Sequence, residues 1–237
     1  HHTKENVISA VGLLRAYGIE NINADFIFGI PGTSIQDVKR DLSFFLSLEL
    51  PHISYYSLIL EDRTVLKHKT DHHMLSLLDD DNIADMYEYI VHELKNRGYH
   101  HYEISNFAKP GYESKHNMLY WNCEEYIGVG SGACGYLHHI RYQNHRVLAH
   151  YMQKYLEERE EISLEEEKKE FFLLGLRMID GVSISKYVEK FHTRPEEDFH
   201  LEKLIQMKLL EIDGDKIRIY PDKIFVANLV FEEFVGD

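Results

Sequence analysis

Asn23-Ala24-Asp25-Phe26-Ile27-Phe28-Gly29-Ile30-Pro31-Gly32 is the stretch on which the fold turns. From Ile22 to Gly29 the run is apolar, broken by one charge, and it closes on a Gly-Ile-Pro-Gly turn. A short run rich in Ile and Phe, bounded by Gly and Pro, predicts a buried strand. Downstream, Thr33-x-x-Gln36 has the pattern of a capping box, so an amphipathic helix is predicted to about Leu48. Upstream, Val7, Val11, Leu14 and Tyr17 recur at helical spacing over 4–18, and Gly18 stands where that helix ends. Ile53 to Leu60 reads as the next strand. Helix, strand, helix, strand is the order of parallel βα units, and near-continuous apolar strands suit a sheet covered on both faces.

Asp25 is the exception within its strand. A carboxylate among apolar neighbours is costly unless it is partnered. Parallel barrels turn the C-terminal ends of their strands toward the active site. Two readings stand: a carboxylate that accepts hydrogen bonds from a ligand, or one paired with a structural Arg or Lys. The Gly29–Gly32 turn could aim backbone N–H groups at an anion, although most such turns are simply tight loops.

Farther along, 61–78 is irregular and Asp79 to Gly98 is a helix with acidic residues at its start and Lys95 and Arg97 near its end. Tyr99 to Phe107 reads as a strand, followed by a loop opened by Pro110-Gly111. In that loop His116-Asn117-x-x-Tyr120-Trp121 gathers an imidazole, an amide and two aromatics. An imidazole can ligate haem iron and aromatics can pack on a porphyrin face. A packed loop with a hydrogen-bonded, inert His accounts for the same residues. Gly128 to Gly135 lacks the Lys-Ser/Thr end of a Walker motif, so its glycines imply close approach of the backbone to a ligand or to another strand. Gly135 to Asn144 reads as a strand, 145–161 as a charged connecting helix and Ser163 to Met178 as a further helix. A helix over Leu201–Leu210, a hairpin over Glu211–Ile219 turning at Asp213-Gly214-Asp215, and a closing helix over Lys223–Val235 resemble a winged helix.

The chain has 237 residues, 44% of them hydrophobic, enough for one large domain or a domain with a smaller companion. Its 26 basic and 40 acidic side chains give a net charge of −14, a field that repels phosphate backbones and argues against nucleic acid as a partner. The longest apolar runs are too short to span a membrane, and the start has no signal-peptide pattern, so the cytoplasm is the expected compartment. His1-His2 is either native or the remnant of a purification tag. The cysteines, Cys123 and Cys134, are fewer than the three thiolates an iron–sulfur cluster needs, and their simplest state is reduced and buried. The doublets His72-His73, His100-His101 and His138-His139 lack the i, i+4 spacing of a helical zinc motif and read as surface or strand residues.

Several of these segments resemble one family. Asp25 to Gly32 resembles its D-L-I-Y-G-L-P-G strand and turn. Tyr99 to Asn117 resembles its block G-Y-x-x-Y-E-I-S-N-F-A-R-P-G-x-x-S-x-H-N. Tyr120-Trp121, the glycines of 128–135, Leu174-Gly175-Leu176-Arg177 and Gly181-Val182 continue the likeness over essentially the whole chain. The family is HemW, the haem-chaperone branch related to oxygen-independent coproporphyrinogen III oxidase. The resemblance implies an α/β fold: an incomplete radical-SAM (β/α) partial barrel over 1–145, then a smaller C-terminal helical, winged-helix-like domain over 146–237. It implies haem binding and delivery, with haem or porphyrin and haem-accepting proteins as partners. The alternatives are the oxidase reaction, which converts propionates to vinyls, and a winged-helix docking module.

The resemblance also implies a 4Fe–4S cluster and S-adenosylmethionine in full-length members. The cluster motif is expected upstream of residue 1, so this chain alone is expected to run no radical chemistry, and no catalytic residue is assigned. By the resemblance, Asp25 contacts S-adenosylmethionine, and Ile59 and Cys134 fall at looser contacts to it. His116 with Asn117 and Tyr120 matches the His-Asn-x-x-Tyr motif linked to haem, with His116 as the candidate iron ligand. Thr33 stands where the family usually has Gln, and the family's upstream S-adenosylmethionine contacts are not in the chain. A half-barrel leaves a sheet edge and an apolar interior uncovered, so either a homodimer or an exposed barrel face is expected.

Overall fold

The computed structural model describes residues 3–235, and the chain divides into two compact units, His1–Glu113 and Ser114–Asp237. His1 and His2 lie outside the described residues.

In the first unit, α1 (Lys4–Ala16) is capped by Thr3, and Gly18 follows it at φ +77°. β1 (Asn23–Phe28) and β2 (His52–Ser57) pair in parallel, with Asp25 opposite Ser54, and α2 (Ile35–Ser47) connects them. The helix cap is Ser34, one residue later than the Thr33 pattern predicts. The Ser34 N–H and hydroxyl both donate to Asp37 Oδ2 at 2.8 Å. Thr33 still belongs to the preceding turn, since its N–H and hydroxyl both donate to the Ile30 carbonyl, at 3.0 and 2.6 Å.

Within the stretch expected to be irregular lies a short helix, α3 (Val65–Asp71). Thr64 caps it, and Lys67 pairs with Asp71 one turn on at 2.8 Å, which is enough local support for two turns. α4 (Asp80–Asn96) follows, capped by Asp79. The strand predicted over 99–107 is a hairpin of β3 (His100–Glu103) and β4 (Asn106–Ala108), and the sheet order is β1-β2-β4-β3. The two-residue turn contains no glycine and is held by side chains instead. Glu103 Oε1 accepts from the Ser105 N–H at 2.8 Å and from Asn106 Nδ2, and the Tyr87 hydroxyl donates to the Ile104 carbonyl at 2.9 Å.

One face of the sheet is covered by α2 and α4, and the other is open along β1 but closed at β2, where His52 and Ser54 are buried. Val38, Leu42 and Phe45 of α2 and Met86, Ile90 and Leu94 of α4 are buried on the side of Phe28, Ile53, Tyr55 and Phe107. Exposure alternates along β1, where Asn23, Asp25 and Ile27 face outward. β1 is also the edge strand, so the uncovered edge anticipated for a partial barrel is present among the described residues. The second face is mostly polar, not apolar: exposed Asn23 and Asp25 and buried His52 and Ser54 line it beside Ile27 and Tyr56.

The second unit opens with α5 (Lys115–Trp121) and an antiparallel meander of β5 (Cys134–Leu137), β6 (Ile140–Asn144) and β7 (Leu156–Glu161). The charged helix expected over 145–161 is instead a short α6 (Leu148–Gln153) followed by β7. Pairing with β6 overrides the helical propensity of the Glu-rich run, and it places Arg141 directly opposite Glu160, 4.0 Å apart. Of the glycines before β6, Gly128 and Gly135 serve close approach of backbone and rings within the unit. A Cβ on Gly128 would stand 2.0 Å from the Cys134 carbonyl oxygen, and one on Gly135 2.2 Å from the Tyr142 ring.

Thereafter come α7 (Leu164–Gly175), β8 (Val182–Ser183), α8 (Ile184–Phe191), α9 (Pro195–Asp198), α10 (Leu201–Gln206), β9 (Leu210–Asp213) and β10 (Lys216–Ile219). A 3₁₀ turn over Pro221–Val226 precedes α11 (Asn228–Val235), so the closing helix starts later than Lys223. The small sheet runs β8-β10-β9, a wing against the helices. Phe172, Tyr187, Phe199 and Phe234 pack ring to ring as its core. The boundary expected at 145/146 falls inside this unit, between β6 and α6.

Candidate functional site

The sequence-predicted residues fall in both units and are described unit by unit. In the first, Asp25 lies in the middle of β1 on the uncovered face, and it makes no ion pair among the described residues. Its partner is an amide: Asn23 Nδ2 donates to Asp25 Oδ1 at 2.7 Å. Asn23 Oδ1 lies 2.6 Å from His52 Nδ1, and His52 Nε2 lies 2.7 Å from the Tyr102 hydroxyl.

The proton positions in this chain follow from chemistry. A carboxylate only accepts, so the Asn23 amide nitrogen must face Asp25 and its oxygen must face His52. His52 Nδ1 must then carry the proton. Burial holds the His52 pKa below its ordinary value, against the pull of the Asp25 and Glu113 carboxylates, so the ring is neutral and Nε2 accepts from Tyr102. Every donor therefore points the same way, from Tyr102 through His52 and Asn23 to Asp25. The chain crosses three strands and orients one carboxylate oxygen, and Asp25 remains exposed toward whatever approaches the face. None of the three supporting residues was recognisable from sequence, because they lie 29 and 50 positions apart along the chain.

Ile59 lies two residues beyond β2 and is 79% exposed. Leu58 N–H donates to the Phe28 carbonyl at 2.9 Å, which ties that loop to the C-terminal end of β1.

In the second unit, His116, Asn117 and Tyr120 lie on a helix rather than in a loop. Ser114 is the reason: its side chain accepts from the Asn117 N–H at 3.3 Å and caps α5, a Ser-x-x-Asn signal that the Pro110-Gly111 turn obscured. One helical turn separates His116 from Tyr120, whose ring it meets edge-on at 4.9 Å. Tyr120 in turn meets Tyr126 at 4.6 Å. Asn117, the next residue along, does not share that ring contact. His116 is exposed and its ring nitrogens have no hydrogen-bond partner among the described residues. Trp121 behind it is stacked by the Arg177 guanidinium at 4.5 Å.

Below Tyr120 and Tyr126 a narrow cleft of about 70 Å³ is lined by Cys123, Tyr136, Arg141 and Glu170. It is too small for a porphyrin. Burial pushes the Cys123 thiol up to about 12, so it stays protonated. Cys134 corrects the expectation of two buried thiols: it opens β5 and is exposed. The His138-His139 doublet forms the tip of the β5–β6 hairpin with both residues at positive φ, 49° and 62°. Buried Glu167 of α7 holds His139 Nδ1 at 2.5 Å and also accepts from the Tyr136 hydroxyl.

Comparison with known proteins covers both units. The family model described as the HemN C-terminal domain matches residues 162–222. The heme chaperone HemW of Lactococcus lactis is 42% identical over 242 residues, covering 100% of this chain and 64% of that protein. The heme chaperone HemW of Bacillus subtilis is 34% identical over 244 residues, with the same coverage of 100% and 64%. That of Escherichia coli is 30% identical over 196 residues, 79% of this chain and 50% of the relative. The chain thus spans less than two thirds of the length of these relatives. Among solved structures, coproporphyrinogen III oxidase (HemN) from Escherichia coli, described as a radical SAM enzyme, superposes with a TM-score of 0.77. It covers 99% of this chain and 59% of that one at 15% identity, a likeness of fold.

Proposed function

This chain belongs to the HemW family, and from that membership we propose that it is part of a haem-binding, haem-delivering protein and carries the haem contact. The observation that carries the reading is His116: an exposed imidazole with unengaged ring nitrogens, standing over Tyr120 on a capped helix. A free imidazole lone pair suits haem iron, and a tyrosine edge beside it suits the porphyrin rim. Haem-accepting proteins are then the partners and the cytoplasm the compartment. No helix of the described residues is long and apolar enough to cross a membrane.

The longer protein would also hold S-adenosylmethionine and a 4Fe–4S cluster. Asp25 suits the first, as an oriented, exposed carboxylate able to accept from hydroxyl groups, with Ile59 as a looser contact beside the same strand ends. Two cysteines do not suit the second, since a cluster needs at least three thiolates. Cluster ligands therefore have to come from outside this chain, and no redox step is assigned to it. The free edge of β1 is where further barrel strands, or a second copy of the chain, would pair. We assign 1–145 to the partial barrel and its following strands and 146–237 to the C-terminal domain.

A haem titration followed in the Soret region tests the reading, on this chain and on the longer protein, each beside His116→Ala. Saturable binding that the substitution weakens at least tenfold supports it. Binding to the longer protein that His116→Ala leaves unchanged would overturn the assignment.

A further inference from the structure

The histidine doublets lack helical metal spacing, but one of them supplies half of a pair that has it. His68 and His72 are four residues apart on α3 and its C-terminal cap, both exposed, with ring centroids 4.0 Å apart and planes inclined at 41°. Imidazoles four residues apart on one helical face are within rotamer reach of one ion, whose nitrogen ligands sit about 2.0–2.1 Å from it.

The tautomer of His72 is also settled. Its Nδ1 lies 2.8 Å from the His68 carbonyl, an acceptor, so Nδ1 carries the proton and Nε2 presents its lone pair. A ring nitrogen that donates to a backbone carbonyl, fixing the other as ligand, is the usual outer-sphere support of a metal-binding histidine. No group of three or more potential ligands exists among the described residues, so water would complete the coordination. The nearest carboxylate on the helix, Asp71, is held by Lys67 at 2.8 Å. His73 follows at φ +54° and has left the helical path.

We infer that His68 and His72 form a two-histidine surface site for a borderline divalent cation, Zn²⁺ being the representative, which staples α3 when it binds. The inference is independent of the haem reading, since these residues lie in the other unit from His116.

The staple gives the test. α3 has no buried residue, so it opens locally with ease. A cation bound only by the helical form stabilises it by mass action, so at free Zn²⁺ one hundredfold above the dissociation constant amide exchange over 68–74 slows about 100-fold. Residue-resolved hydrogen exchange of the full chain, with and without Zn²⁺, reads this directly and is blind to binding by other histidines. His68→Ala and His72→Ala should each abolish the slowing, whereas His73→Ala should keep it. Alanine favours helix more than histidine does, so a lost response in His68→Ala cannot be a weakened helix. No slowing at millimolar Zn²⁺, or slowing that survives both His68→Ala and His72→Ala, would overturn the site.

Discussion

The directed chain from Tyr102 to Asp25 makes a quantitative prediction. His52 is 5% exposed and uses both ring nitrogens, at 2.6 and 2.7 Å. His52→Ala removes two hydrogen bonds of roughly 1 kcal/mol each and leaves the hydroxyl of Tyr102, itself buried, without this partner. Asn23 loses less, because it is exposed to water and Ser54 Oγ lies 3.3 Å from its carbonyl oxygen. The expected cost is about 2–4 kcal/mol, with a further contribution from the vacated volume. Tyr102→Phe leaves the His52 Nε2 acceptor buried and costs about 1–2 kcal/mol. The two residues are directly bonded, so the double variant should lose about 1 kcal/mol less than the sum of the singles. Urea unfolding of the four proteins measures the cycle, and each kcal/mol corresponds to about 2–4 °C in Tm for a chain of this size. Additivity within about 0.3 kcal/mol would refute the bond, and with it the argument that Asp25 is held from behind.

His101 is buried and stacked on Phe107 at 4.3 Å, and burial pushes its pKa down to about 3. The unfolded ring takes up its proton near 6.5, so stability is complete above that pH and falls as the pH drops from there toward 3, by about 1.4 kcal/mol per unit from this group. His101→Phe should flatten that slope in pH-dependent denaturation, and an unchanged slope would show that the ring is not held neutral. Burial raises and the bonds from Tyr136 and His139 lower the pKa of Glu167, with a net lowering, so its contribution is present above about pH 4.5 and lost below. Glu167→Leu should cost about 2–4 kcal/mol by leaving the Tyr136 hydroxyl and the strained His139 turn unsupported, and a loss under 0.5 kcal/mol in urea unfolding would contradict this. Gly181 sits at φ +70°, where a Cβ would come 2.2 Å from the Ile217 carbonyl oxygen, so Gly181→Ala should destabilise the second unit by more than about 2 kcal/mol, read as a lower thermal midpoint.

Local chemistry was legible where it was self-contained. The helix start at Asp79, its end at Gly98 (φ +76°) and the Asp213-Gly214-Asp215 turn each depend on residues within a few positions of one another, and each stands where the sequence places it. Misreadings arose where a distant partner outweighed the local signal. Glu157 to Glu161 has the composition of a helix, yet β6 pairs with it, from Gln143 opposite Glu158 to Ile140 opposite Glu161. The single strand read over 99–107 folds back on itself because Glu103 reaches the turn it precedes. His116 looked like a loop residue because Pro110-Gly111 is a stronger signal than the Ser114 cap that follows it.

Sequence by itself determined the family likeness, the strand that carries Asp25, and the presence of His116 and Tyr120 one helical turn apart in the count. Each is a property of residue order, and helix and strand periodicities convert residue order directly into spacing. Only the tertiary structure decided which face of β1 is left open and that Tyr102, His52 and Asn23 line up behind the Asp25 carboxylate. Those contacts join β1, β2 and β3, and strand register is set by long-range hydrogen bonding that no local pattern encodes.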